Sequence, residues 1–283
     1  MNNLEVDAWV AQAPQGQQGF REAVHIILDG IGHSQNLRAK MVMKGGLLLA
    51  IRYDSSRYTR DLDFSTAEKY AAENTDALLG ELREGLIAAE NRLPYDTLCR
   101  LQSWKPQPKG ENKTHQCLEL KIGFAKRSNA AQMARLEARN SSQVVEIDYS
   151  FNEAVFDVEV LELDEGATIH SYTLNNMLAE KMRSLLQQPI RKRERQQDVY
   201  DIWLLLELGP ELVAEELAKI HEILAFSCGS KDIVPDINSM ESAAVVNMAR
   251  TGYQKLAADI DGELPPFDRA MRRVVALYRS LPW

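Results

Sequence analysis

Arg60-Asp61-Leu62-Asp63-Phe64 is the stretch whose reading decides the fold. Leu62 and Phe64 alternate with two acids, which predicts a short strand over Leu62–Phe64 with its apolar side chains in a core. Residues two apart in a strand point the same way, with Cα atoms roughly 6.5 Å apart. Asp61 and Asp63 therefore converge on the other face. Two such carboxylates repel unless a cation lies between them. Mg²⁺ takes oxygen ligands and is commonly held by one or two carboxylates plus substrate phosphates. A strand end with two solvated acids gives the same pattern, so the neighbouring sequence has to decide.

Upstream, Lys44-Gly45-Gly46 precedes a compact apolar segment, Leu47 to Arg52, which reads as a buried helix. A glycine pair at a helix N-terminus lets backbone N–H groups approach a phosphate, and the helix dipole favours the anion. A plain loop-to-helix turn is the other reading. The polar segment Tyr53 to Arg60 then joins the glycines to the acids. Further back, Phe20 to Leu28 has helical spacing, Ser34 is an N-cap, and Ala11 to Gly19 reads as a loop before the first helix.

Downstream, Thr75 to Ala89 is helical by period. Thr97–Trp104, Gln116–Phe124, Gln143–Phe151 and Phe156–Leu163 read as strands. The stretch Trp104 to Thr114, with Lys105, Lys109, Lys113, Pro106 and Pro108, reads as a hairpin loop or flap. In Val145-Glu146-Ile147-Asp148-Tyr149, Glu146 and Asp148 share a face. One of them is a third acid, for a metal or as a base, or both are the wet face of an edge strand.

From Leu174 the chain reads as helix: Leu174–Leu186, Gln197–Leu208, Glu211–Phe226, Ser239–Ile260 and Phe267–Leu281. The expected organisation is an α/β core over residues 1–172 and a helical lobe over 173–283. On the first of these helices Lys181 falls inside the arc of Leu174, Met177, Leu178, Met182 and Leu185. A core-facing lysine needs an anion. On the next helix Asp198 falls inside the apolar arc and Asp201 at its edge. Lys181 and Asp198 are thus expected to face each other or a shared ligand, with Asp198 in the deeper role. An internal ion pair fastening two helices is the other reading. Arg191-Lys192-Arg193-Glu194-Arg195 lies between them. It is either a solvated turn or a cradle for an RNA backbone.

Composition sets the class. The 283 residues are 45% hydrophobic and 26% charged, with no apolar run near the roughly 20 residues of a membrane span. Cys99, Cys117 and Cys228 have no metal-ligand spacing, and their odd count argues against a disulfide framework. The acidic N-terminus lacks the features of a signal peptide. These readings place the chain in the cytoplasm. A formal net charge of −8 excludes indiscriminate coating of nucleic acid, although a local basic patch can still hold one RNA end.

Together the motifs resemble the AbiEii/AbiGii-type nucleotidyltransferase toxins of bacterial toxin–antitoxin pairs, which include the MenT toxins. The resemblance rests on Lys44-Gly45-Gly46, then Tyr53, Arg57 and Arg60, and Asp61-Leu62-Asp63-Phe64. It continues with Asp148 in Ile147-Asp148-Tyr149-Ser150-Phe151, with Ala179-Glu180-Lys181, and with Asp198-Val199-Tyr200-Asp201. These occur in order between about residues 20 and 210. Gly46 stands where many nucleotidyltransferases carry a serine, which removes a hydroxyl contact to phosphate. The resemblance implies an α+β fold: a polymerase-β-like nucleotidyltransferase core with a helical C-terminal lobe. It implies Asp61 and Asp63, with Asp148 as third acid, around Mg²⁺ or Mn²⁺. Lys44, Gly45, Gly46, Arg60, Lys181 and Asp201 would bind the nucleotide, and Asp198 would position Lys181 or the nucleotide. Catalysis would rest on Asp61, Asp63, Lys181 and Asp198, with Arg191, Lys192, Arg193 and Arg195 as a weak RNA contact. The implied partners are an NTP donor, an RNA acceptor at the 3′ end of tRNA, and a cognate antitoxin.

Two rival classes use the same residues. A nucleotidyltransferase acting on a small molecule, such as an antibiotic, needs the acids and the glycine pair but not the basic run. A non-catalytic nucleotide- or partner-binding module needs the acids only for structure.

Overall fold

A computed structural model describes residues 3–109, 116–163 and 166–283. They divide into two compact units. The first is Met1–Arg52 with Arg60–Ser171, and the second is Tyr53–Thr59 with Tyr172–Trp283. The segment Tyr53–Thr59 is thus an excursion that a single linear boundary near residue 172 does not contain.

The first unit is built on a seven-stranded mixed sheet in the order β3-β4-β5-β2-β1-β7-β6. The strands are β1 Val42–Lys44, β2 Asp61–Ser65, β3 Thr97–Gln107, β4 Cys117–Lys126, β5 Val144–Ser150, β6 Val158–Glu162 and β7 Thr168–Tyr172. β3, β4 and β5 form an antiparallel meander, β5 runs parallel to β2, and β2 runs antiparallel to β1. The alternation in the sequence sets the faces. Leu62, Phe64, Ile147 and Tyr149 are buried, whereas Asp61, Asp63, Glu146 and Asp148 lie at more accessible positions.

Two long helices cover the sheet, α2 Gln18–His33 and α5 Thr75–Arg92. The buried stripe of α5, Leu79, Leu82, Leu86 and Ala89, has the period of a helix packed on one side. The two helices cross at glycines: a Cβ on Gly30 would lie 2.8 Å from the carbonyl carbon of Gly85. Only hydrogen side chains permit that approach.

Several elements differ from the sequence reading. α1, Val6–Ala11, precedes the expected first helix, and the connection to α2 is correspondingly shorter. α3, Gln35–Lys40, begins at Ser34 as expected, the serine Oγ accepting from the N–H of Leu37 at 3.0 Å. β1 is three residues long, too short to show a period, and β7 and α6, Ala130–Glu137, are further elements that the sequence reading did not include. The expected flap from Trp104 is strand as far as Gln107. Pro108 and Lys109 follow as a bend, and residues 110–114 lie outside the described residues.

The second unit is helical: α7 Leu174–Arg191, α8 Gln196–Leu208, α9 Ala214–Gly229, α10 Ala243–Arg250 and α11 Phe267–Ser280. α7 opens on Thr173, whose hydroxyl caps the N–H of Asn176 at 3.3 Å. It packs against α8, α9 and α10. The expected helix from Ser239 to Ile260 is broken, because Gly252 at φ 73° ends α10 and starts a 3₁₀ segment, Tyr253–Ala258. The excursion Tyr53–Thr59 is strapped to the chain just beyond. Tyr58 N–H donates to Asp259 at 2.6 Å, and Asp261 N–H donates to Ser56 at 3.1 Å.

Candidate active site

Strand register assembles the site of the first unit. Lys44 on β1 stands opposite Asp63 on β2, Asp63 opposite Asp148 on β5, and Asp148 opposite Glu119 on β4. Register partners present their side chains to the same side of a sheet. One cross-strand row therefore carries a lysine and three acids. The next row carries Asp61, Glu146 and Lys121. Arg60 lies exposed at the start of β2, beside Asp61.

Each row carries a lysine–glutamate ion pair. Lys121 donates to Glu146 at 2.7 Å, and Lys105 pairs with Glu119 at 2.8 Å. These pairs flank Asp63 and Asp148. Burial, and then the Asp148 carboxylate, push the Cys117 thiol up to about 12. Cys117 is therefore a neutral thiol, which argues against thiolate chemistry on this face.

The glycine pair comes directly against the acids. α4, Gly45–Arg52, starts at the end of β1, and Gly45 holds φ at 80°. A Cβ on Gly45 would sit 2.7 Å from Asp63 Cγ and 2.8 Å from Asp63 Cβ. The Asp63 side chain thus lies where any other residue at 45 would put its own. The left-handed φ adds a second reason for glycine. The sequence offered the glycine pair as a phosphate approach or a plain loop-to-helix turn, and neither reading foresaw this contact.

Two or three carboxylates on one face are a donor set for a hard divalent cation. Asp61 and Asp63 lie two apart on β2, and Asp148 lies beside Asp63, so the residues fit such an ion. Among the described residues, no three His, Cys, Asp or Glu side chains already stand close enough together to hold one.

The second unit brings together Lys181, Asp198, Asp201 and Arg57. Lys181 Nζ donates to Asp201 Oδ2 at 2.6 Å and to Asp198 Oδ1 at 3.3 Å. Arg57 grips Asp201 with both Nε and Nη2 at 2.9 Å. Asp201 is 0% exposed and Asp198 6%. The expected depths are therefore reversed: Asp201, at the edge of the apolar arc, is the deeper acid. α8 packs against α7, α10 and α11, so its buried surface is wider than one arc.

Electrostatics hold this cluster charged. Burial opposes the charge on Lys181, but Asp201 and then Asp198 outweigh it and raise its pKa. Burial likewise opposes the Asp201 carboxylate, and Lys181 and Arg57 outweigh it and lower its pKa. Arg57 is raised in the same way, burial being overcome by Asp201. Sequence reasoning quoted Arg57 as part of a motif but gave it no task, because a polar loop has no period. The signal was arithmetic: two acids on one helix face with a single lysine to meet them.

The basic run divides. Arg191 ends α7, Lys192 caps it at φ 51°, and Arg191, Lys192 and Arg193 are exposed. Arg195 is half-buried, and its N–H donates to Gln188 at 2.8 Å.

No helix among the described residues is long and apolar enough to cross a membrane. No curated protein sequence matches the chain. Among solved structures, the chain is similar to JHP933 from Helicobacter pylori, at 14% identity and a TM-score of 0.47 over 87% of this chain and 96% of that one. It is also similar to a candidate nucleotidyltransferase from H. pylori, at 13% identity and a TM-score of 0.44 over 88% of this chain and all of the other. The family model described as nucleotidyl transferase AbiEii toxin, Type IV TA system, matches residues 27–273 and so spans the acid row, the glycine pair and the Lys181 cluster. The chain belongs to the AbiEii family of nucleotidyltransferase toxins.

Proposed function

We propose that the chain transfers a nucleoside monophosphate from an NTP to an RNA hydroxyl, with the 3′ end of tRNA as the acceptor, and thereby blocks translation. The observation that carries this reading is the single row Lys44, Asp63 and Asp148, with Gly45 closed against Asp63. The glycine turn and the acids lie against each other at the end of β1 and on β2, which supports a shared site for phosphate and metal.

In this reaction the acceptor oxygen attacks the α-phosphorus, a new P–O bond forms, and the bond to the β-phosphate oxygen breaks. Pyrophosphate leaves. Asp61 and Asp63, with Asp148, would hold Mg²⁺ or Mn²⁺, which supplies charge neutralisation at the phosphates. Asp148, the register partner of Asp63, takes the proton of the attacking hydroxyl. Lys44, the Gly45-Gly46 backbone and Arg60 bind phosphate oxygens. Lys181 is a further phosphate cation, kept charged and oriented by Asp198 and Asp201. Most of the catalytic effect is then positioning and electrostatic stabilisation.

The exposed Arg191, Lys192 and Arg193 favour an RNA acceptor over a small molecule. The family implies a cognate antitoxin, and the cytoplasm is the compartment proposed for the pair. The test is to supply NTP labelled at the α- or the γ-phosphate with deacylated tRNA and Mg²⁺. The expected result is α-label on RNA and γ-label in pyrophosphate. Label on a small acceptor but never on RNA would overturn the RNA assignment. No transfer with any NTP would overturn the reading as a whole.

A further inference from the structure

A cavity lies in the first unit, walled by α5, β3 and the end of α6. Its volume is about 300 Å³, and its lining includes Leu86, Ile87, Leu101 and Leu136 with Arg83, Arg100 and Arg139. Small-molecule sites begin at about this size and are mostly apolar with a few convergent polar groups. None of these residues belongs to the acid row or the glycine pair.

The lining charge is lopsided. Three arginines face one acid, Glu137, on a chain whose net charge is −8. Arg100 is already taken, since its Nη1 donates to both Glu90 oxygens at 2.6 and 2.9 Å. Among the described residues, Arg83 and Arg139 have no ion-pair partner. Both are exposed, and Ile87, half-exposed, sits one turn from Arg83 on α5.

Arg139 supplies an independent observation. It follows α6 in the left-handed region, at φ 54°, where its N–H donates to Leu136 at 3.0 Å. Glycine is the residue that suits this helix-ending position, and any side chain there is held against a steric penalty. Backbone geometry therefore does not select arginine, and Arg139 is one of the residues that line the cavity.

We propose that this cavity binds a small amphipathic anion: an apolar body against Leu86, Leu101 and Leu136, with a carboxylate between Arg83 and Arg139. Octanoate is the probe, titrated calorimetrically into the full-length protein beside octanol and acetate. Octanoate is expected to bind at least about tenfold more tightly than either control, since each control lacks half of the recognised chemistry. Arg139→Gly separates binding from folding. It relieves the left-handed strain, so the melting temperature is expected to hold or rise, while octanoate affinity falls about tenfold. Arg83→Gln, at an exposed helical position, is expected to weaken octanoate similarly. Absent octanoate binding, equal binding of octanol, or unchanged affinity in both variants would each overturn the proposal. NTP-dependent transfer by the same preparations reports on the acid row separately.

Discussion

The Asp63 carboxylate fills the space that a side chain on Gly45 would need, so the glycine turn and the acid strand are fitted to each other at a single atom position. The relationship ties two motifs that are separate in the sequence. It also explains why the residue after Lys44 is glycine on grounds independent of any ligand.

Gly45→Ala is therefore expected to act twice. The left-handed φ and the overlap with Asp63 together are expected to destabilise the first unit by about 1–3 kcal/mol. Displacement of Asp63 is expected to reduce nucleotidyl transfer by more than about a hundredfold, well beyond the loss of folded protein. Urea titration gives the first quantity, and transfer rates at matched folded concentration give the second. Wild-type rates in a destabilised Gly45→Ala protein would separate the glycine from the chemistry.

Asp201 anchors the second unit more firmly than Asp198. Asp201→Ala leaves Lys181 and Arg57 charged, buried and without their shared acceptor, and is expected to cost about 3–5 kcal/mol. Asp198→Ala removes one 3.3 Å contact and is expected to cost about 1 kcal/mol. Chemical denaturation of the two variants decides the order, and a larger loss in Asp198→Ala would reverse it.

The same cluster sets a pH dependence. The pKa of Asp201 is lowered in the fold, so its stabilisation is present above the unfolded carboxylate value of roughly 3.9 and is lost as pH falls through the folded value. The pKa of Lys181 is raised, so its contribution is complete below roughly 10.4 and is lost as pH rises through the folded value. The stability gap between the wild type and Lys181→Met is expected to be flat between these limits and to narrow outside them. Melting temperatures across pH check this.

Much of the architecture was legible because it rests on period. α5 and the helices of the second unit show 3.6-residue stripes, and β5 alternates strictly between buried and more accessible positions. The shared strand of Asp61 and Asp63 was legible for the same reason. What escaped was decided by tertiary context. β1 is three residues long and is a strand only because β2 and β7 lie beside it. Asp201 and Arg57 pair across 144 positions of sequence, so neither residue signals the other locally. The break at Gly252 turns on one backbone angle within a stretch that keeps its apolar spacing.

The basic turn separates acceptor classes. Replacing Arg191, Lys192 and Arg193 together by glutamine is expected to lower RNA transfer roughly tenfold and to flatten its salt dependence, while NTP affinity stays unchanged. The check is transfer at several salt concentrations beside NTP calorimetry. Unaltered RNA transfer would favour a small acceptor.

The central claim is that the Asp63 carboxylate carries the chemistry, and Asp63→Asn tests it most directly because it keeps the side-chain volume against Gly45. The measurement is transfer of α-labelled nucleotide to deacylated tRNA, with melting temperature recorded on the same samples. The expected result is a loss of at least about a hundredfold in rate with melting within a few degrees of wild type. Transfer at the wild-type rate by a folded Asp63→Asn protein would contradict it.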